Sequence, residues 1–425
     1  MDPIPLLILV LSLWTVIPRA AGAQTHQENV NRCFVDIPQD AVGRRNKADE
    51  WIAACTAVIE SGRESTENLA RAFMNRGVAY SGKGDYDRGI VDLEQTLRFN
   101  PKNAETNAEA LYNLGFAYGA KGDYDRAIRY LDQTLRLNQK HVDAFITRGI
   151  GYRNKGNYDR AIQDFNQAIR LRPAYEIGFF QRGFARLLLE DYDGATQDFD
   201  RAIQLNPNSA DNFYRRGVAY AYSRKADYDR AILDYDKAIS LDPSLFGAFE
   251  ERGNAYRRKG DEERAIQDYN EGIRLEPTNP GAFHNRGLAY FGKRDYDGAI
   301  RDFGQAIRLK PDYEDVFVNR AATYAQKLDY DRAIQDYDEA IRLNPGAADT
   351  FEMRGLMYFN KAKYDLAIGD WNSALKLDSR RVLALYCRGV AKQIKGDSGG
   401  NGDVQAAKQL RPNIADEIAK TCARR

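Results

Sequence analysis

Histidine and cysteine are scarce in this chain of 425 residues, which has three of the first and four of the second. His26, His141 and His284 have no Cys or Ser partner at a meaningful spacing, and no HExxH, GxSxG or phosphate-loop pattern occurs. No catalytic residue, metal site or cofactor is expected. An excess of either charge is also missing: 62 Lys and Arg against 61 Asp and Glu leave a net charge of +1. That balance argues against nucleic-acid binding through a global basic field. Hydrophobic residues make up 43% and aromatics 11%, enough for a core and too many for a wholly disordered chain.

No apolar run approaches the roughly 20 residues that span a bilayer, so no stable membrane anchor is expected. The run from Ile4 to Ile17 is followed by Ala21-Gly22-Ala23, the small-x-small pattern of a signal-peptidase site. Residues 1–23 read as an export signal, although Asp2 stands where a cationic start is usual. The expected location is the periplasm of a bacterium or its exterior. Cysteine placement agrees, because Cys33 with Cys55 and Cys387 with Cys422 form two local pairs. As disulfides, each would be worth about 3 kcal/mol in the chain-entropy picture.

The chain repeats. Gly77, Gly115, Gly149, Gly183, Gly217, Gly253, Gly287, Gly355 and Gly389 recur at a spacing of 34, with Ala321 in the one missing place and with single intervals of 38 and 36. The longer intervals place four extra residues in the link after Pro101 and two in the turn before Asp227. In the unit from Val142 to Tyr175, Phe145, Arg148, Gly149 and Tyr152 lie at helical spacing, and so do Ala161, Ile162, Phe165, Ala168 and Ile169. Lys155-Gly156-Asn157 stops one helix and caps the next, and Pro173 closes the unit. One such pair cannot bury its apolar stripe alone, so neighbours must stack on it.

Aromatic, Gly, Tyr, Ala, aromatic, Ala and Pro recur in register, as in Phe283, Gly287, Tyr290, Ala299, Phe303, Ala306 and Pro311. This pattern resembles the tetratricopeptide repeat family, and the resemblance runs from Ala70 to about Pro412. It implies an all-α, right-handed solenoid of about ten helix pairs over residues 66–412, the last one degenerate. There a second helix is expected at residues 403–408 after a turn of Ser398-Gly399-Gly400-Asn401-Gly402. Segments 24–65 and 413–425 read as caps. Trp51, Ile52, Cys55, Val58 and Ile59 form one face like a lone second helix, and Ile414, Ile418 and Cys422 form a stripe.

Arg precedes the glycine position in nine of the ten units. Eight of these have Asp sixteen or eighteen residues on: Arg76 and Asp92, Arg148 and Asp164, Arg182 and Asp198, Arg216 and Asp234, Arg252 and Asp268, Arg286 and Asp302, Arg320 and Asp336, Arg354 and Asp370. Where Arg is replaced by Leu114, Asp is replaced by Tyr130. Columns that change together read as structural ion pairs across each helix pair. The recurring Asp-Tyr-Asp reads as helix capping rather than calcium binding, since a helix begins at once and further oxygen ligands are lacking.

The resemblance also implies a concave groove lined by the first helices, holding a protein or peptide ligand. Residues three before and one after the glycine column should face it: Met74 and Val78, Tyr112 and Phe116, Ile146 and Ile150, Phe180 and Phe184, Tyr214 and Val218. The later units give Glu250 and Asn254, His284 and Leu288, Val318 and Ala322, Glu352 and Leu356. The apolar set is expected to form the peptide groove, with packing between repeats as the competing role. A carboxylate clamp like that of some family members would use Arg71, Asn75 and Asn113, but Asp143 and Thr147 stand where its basic residues belong. The expected function is a non-enzymatic, exported binding scaffold that takes no nucleic acid; the alternative is an envelope assembly factor or holdase chaperone.

Overall fold

A computed structural model of the protein describes residues 26–34, 41–99 and 103–418. The export signal at 1–23 and Cys422 lie outside the described residues. All regular structure among these residues is helical. A cap of α1 (His26–Cys33) and α2 (Ala41–Glu60) precedes four pairs: α3 (Thr66–Gly82) with α4 (Tyr86–Phe99), α5 (Ala104–Ala120) with α6 (Tyr124–Leu137), α7 (Val142–Asn154) with α8 (Tyr158–Leu171), and α9 (Glu176–Leu188) with α10 (Tyr192–Leu205). Six pairs follow: α11 (Ala210–Tyr222) with α12 (Tyr228–Leu241), α13 (Phe246–Arg258) with α14 (Glu262–Leu275), α15 (Pro280–Gly292) with α16 (Tyr296–Leu309), α17 (Glu314–Gln326) with α18 (Tyr330–Leu343), α19 (Ala348–Asn360) with α20 (Tyr364–Leu377), and α21 (Val382–Ile394) with α22 (Gly400–Leu410). The short α23 (Ile414–Ile418) ends the described chain. Two compact units divide between Pro207 and Asn208.

Each pair is built by the same local chemistry. In the third, Gly156 takes φ +76° to end α7, and the Asn157 side chain accepts from the Arg160 amide to start α8. The glycine column is required by the aromatic column: a Cβ on Gly149 would sit 2.5 Å from Phe165, and one on Gly287 2.7 Å from Phe303. Phe165, Phe199, Tyr235, Tyr269, Phe303, Tyr337 and Trp371 are in turn fully or almost fully buried. In the Asp-Tyr-Asp turns the first Asp caps the helix, as Asp123, Asp191, Asp227 and Asp329 do. Several second ones meet a Lys one repeat later, such as Lys155 with Asp125 and Lys259 with Asp229.

Three expectations are corrected. The four extra residues of the 38-residue interval do not lengthen the link: α5 has 17 residues where α7 has 13, because an added helical turn keeps its backbone bonded whereas a longer loop would not. The N-terminal cap is a helix pair and not a lone helix, since α1 packs on α2 and the Cys33–Cys55 disulfide joins them with Cα atoms 4.8 Å apart. Trp51, Cys55 and Val58 are buried there. In the last repeat α22 starts at Gly400, inside the stretch expected to be a turn. A Cβ on Gly400 would lie 2.5 Å from the Gly389 carbonyl, so glycine permits the close crossing of α21 and α22. At the C-terminal cap Ile414 is buried, and so is Cys387, whose expected partner Cys422 is outside the described residues.

Candidate functional site: the first-helix face

Within each unit, first helices of successive pairs touch one another: α3 with α5, α5 with α7 and α7 with α9 in one, α11 with α13, α13 with α15 and α15 with α17 in the other. Second helices make no comparable approach among the described residues. The first-helix face is therefore the inner one, where neighbouring repeats crowd together.

The helices behind that face are locked by charge. Every Arg of the eight pairs donates to its Asp, from Arg76 to Asp92 at 2.7 and 2.8 Å through Arg354 to Asp370 at 2.9 and 2.6 Å. Arg148, Arg182, Arg216, Arg252, Arg286 and Arg320 do the same with Asp164, Asp198, Asp234, Asp268, Asp302 and Asp336. All eight aspartates are buried, none more than 6% exposed as a residue. Leu114, fully buried, packs in one cluster with Tyr130 instead, and Tyr130 stacks on Tyr118 at 5.5 Å.

Sequence spacing missed two features of this network. Arg388 pairs with Asp403, fifteen residues on, at 2.6 and 2.8 Å. The arginines also reach back to the preceding repeat, from Arg148 to Asp132, Arg252 to Asp236 and Arg354 to Asp338, with Asn166, Asn270 and Asn372 serving Arg182, Arg286 and Arg388. The signal was present as an acidic or amide column sixteen residues before each Arg; Gly304 interrupts it before Arg320. Each of these six guanidiniums thus joins three helices. Burial pulls the pKa of Arg148, Arg252 and Arg354 down, but two carboxylates apiece outweigh it and hold all three above the usual arginine value.

The apolar groove residues are mostly consumed in packing. Val78 and Ile146 are buried, and Met74, Ile150 and Val218 pack against core clusters. Tyr112 lies over His141 at 4.7 Å, Phe180 meets Phe199 edge-on at 6.0 Å, and Tyr214 tilts on Tyr235 at 6.1 Å. Phe184 is covered by the Arg153 guanidinium at 4.6 Å. Of the ten, Phe116 stays exposed, at 44%. The clamp set is likewise engaged: Asn75 donates to the Cys33 carbonyl, Arg71 lies over Phe34, and Asn113 donates to the Glu109 carbonyl. Thr147 donates to the Asp143 carbonyl, and Asp143 accepts from Tyr175.

The polar columns of the second unit behave differently. His284 contacts Tyr313 and Asn319, and buried Glu352 accepts from Arg381 at 2.8 Å. Glu250, in the same column, receives only an amide, from Asn285 at 3.0 Å. Its neighbour Glu251 accepts from the Tyr222 hydroxyl at 3.2 Å. Burial pushes Glu251 above the usual carboxylate range, and burial and then the charge of Glu251 do the same to Glu250.

Family models described as tetratricopeptide repeat, or TPR repeat, match residues 70–103, 112–176, 146–210, 213–245, 253–294, 280–313 and 314–346. The chain belongs to the tetratricopeptide repeat family. Among solved structures, a tetratricopeptide repeat protein from Parabacteroides merdae is 21% identical with TM-score 0.48, over 60% of this chain and 98% of that one. Yeast Tom70 is 16% identical with TM-score 0.42, over 89% and 93%. YrrB, a TPR protein with an unusual peptide-binding site, is 19% identical with TM-score 0.38, over 46% and 97%. No curated protein matches. The tetratricopeptide stack is a scaffold suited to binding proteins or peptides, and no described helix is long and apolar enough to cross a membrane.

Proposed function

We propose that this tetratricopeptide protein is a non-enzymatic scaffold that holds an extended segment of another protein on its first-helix face. The observation that carries the reading is the shared inner face, where successive first helices touch and side chains such as Phe116 and Glu251 are not consumed by the core. Affinity would come from a few such anchors on a rigid support, since hot spots and preorganisation rather than area set binding strength. The Arg bridges between repeats supply that rigidity.

We further infer export to the periplasm. The reading rests on the apolar segment with Ala21-Gly22-Ala23 and on the Cys33–Cys55 disulfide, a bond that persists in oxidising compartments. Mass spectrometry of the protein isolated from the periplasm should find a chain beginning at Gln24; an uncleaved cytoplasmic chain would overturn it.

Cross-linking and pull-down from periplasmic extract, with Phe116→Ala in parallel, tests the binding role. One stoichiometric partner lost in the variant supports a scaffold, and many unfolded clients support a holdase instead. Release of a converted product from a substrate panel would contradict both.

A further inference from the structure

The second unit holds a cavity of about 260 Å³ on its first-helix side, lined by Ala221, Tyr222, Tyr228, Glu251, Asn254, Ala255, Arg257, Arg258 and Asn285. Glu250 stands behind that wall, accepting from Asn285 at 3.0 Å. That volume lies below the roughly 300–1,000 Å³ of small-molecule sites and suits a single side chain. A larger open cleft, about 610 Å³, lies at the turn around Gly122 and is lined by Lys121, Asp125 and Lys155. There, however, the cations already have carboxylate partners.

Charge decides what the smaller cavity takes. The eight Asp of the Arg column all meet a guanidinium, and Glu352 meets Arg381. Among the described residues, Glu250 and Glu251 have hydrogen-bond donors but no Lys, Arg or His in an ion pair. The position that supplies Arg381 to Glu352, twenty-nine residues on, supplies Asn279 to Glu250. Two adjacent, largely desolvated carboxylates without a cation are costly. A second group nearby is also unanswered: the hydroxyl of Tyr235, a residue with no exposure, has no hydrogen-bond partner and feels the charge of Glu251. Arg257 does not supply the missing cation, because its charge acts on Glu262 and Tyr269 of α14, and Arg258 is exposed. The Tyr222 ring, 52% exposed, and Tyr228 offer faces to the stem and head of a cationic side chain.

We propose that this cavity receives one cationic side chain, an arginine or lysine, of a peptide lying along the first-helix face of α11, α13 and α15. The assignment rests on the scaffold reading and specifies the partner: a segment with a basic residue as its anchor. The carboxylates of Glu250 and Glu251 receive the N–H donors, and Asn254 and Asn285 are placed beside them.

Fluorescence anisotropy with a labelled nonapeptide of alternating serine and arginine tests this, with a citrulline counterpart of the same shape and no charge. A panel of labelled uncharged apolar peptides runs beside them. The arginine peptide should bind at least about tenfold more tightly than the citrulline one. Glu250→Gln with Glu251→Gln should remove that advantage, with helix content kept and thermal stability unchanged or higher, whereas Leu328→Gly, in a turn between paired helices, should preserve it. Equal affinity for the two peptides, or an arginine preference that survives both substitutions, would overturn the pocket. If the apolar panel binds and arginine confers nothing, the scaffold stands and this pocket falls; if no peptide binds, both fall.

Discussion

The two units share one architecture and use their inner faces differently. In the first, the columns beside the glycines are apolar, and packing absorbs nearly all of them: Ile146 and Val78 are buried, and Tyr112, Phe180 and Phe184 lie against a ring or under a guanidinium. In the second, the same columns carry Glu250, His284 and Glu352, and a pocket opens where a carboxylate lacks a cation. The difference teaches that aromatic character on the inner side of a helical stack marks cohesion between repeats. Unanswered polarity is the better sign of a site, since evolution removes it cheaply unless it is used.

The part common to both units gives the largest expected effect. Arg148→Ala in one and Arg354→Ala in the other should each cost about 3–5 kcal/mol, because a buried Asp loses its cation. Urea denaturation measures both, and a loss in only one unit would break the claim of shared construction. Arg148→Leu combined with Asp164→Tyr, copying the natural Leu114 and Tyr130, should recover most of the loss.

Phe180→Ala should cost about 2 kcal/mol, as a half-buried ring loses its packing, and leave arginine-peptide affinity alone. An unchanged urea midpoint would return Phe180 to the list of ligand contacts and blur the contrast between the units.

Glu251→Gln sharpens the comparison with the opposite sign. Burial raises the folded-state pKa of Glu251, so the native state favours the protonated form. The penalty is absent below the unfolded carboxylate pKa, grows as pH rises through the folded one, and is constant above it. The substitution should therefore stabilise at neutral pH, by on the order of 1 kcal/mol, and have no effect in acid. Urea midpoints at pH 4 and 7.5 check this; a loss of stability at neutral pH would mean that the carboxylate serves the fold.

The smallest effect concerns the turns. Leu328 holds φ +61° where Gly84, Gly122, Gly156, Gly260 and Gly396 sit in other pairs. Leu328→Gly should gain up to about 1 kcal/mol without altering binding, read from the thermal midpoint.

Much of the fold was legible because its causes are local and repeated. In most units a glycine faces an aromatic ring, a left-handed residue ends the first helix and an Asp or Asn caps the second. The Arg and Asp columns could be paired by their joint loss at Leu114 and Tyr130. What escaped depended on neighbours. The polar α1 has no apolar stripe to announce it, and its partner α2 supplies the contact. Four extra residues after Pro101 read as loop, because spacing counts residues without saying where the helix stops. The glycines at Gly400 and Gly402 read as a breaker until the crossing with Gly389 explains the first of them. On the inner face, spacing could not say which side chains an adjoining repeat covers. It also gave no warning that Asn279 stands where Arg381 stands for Glu352.

Hydrogen–deuterium exchange of the full protein, with and without saturating arginine peptide, tests whether the first-helix face holds the ligand. Slower exchange is expected in the first helices α11, α13 and α15, with little change in the second helices behind them. Protection confined to the second helices or to the turns between the pairs would contradict it.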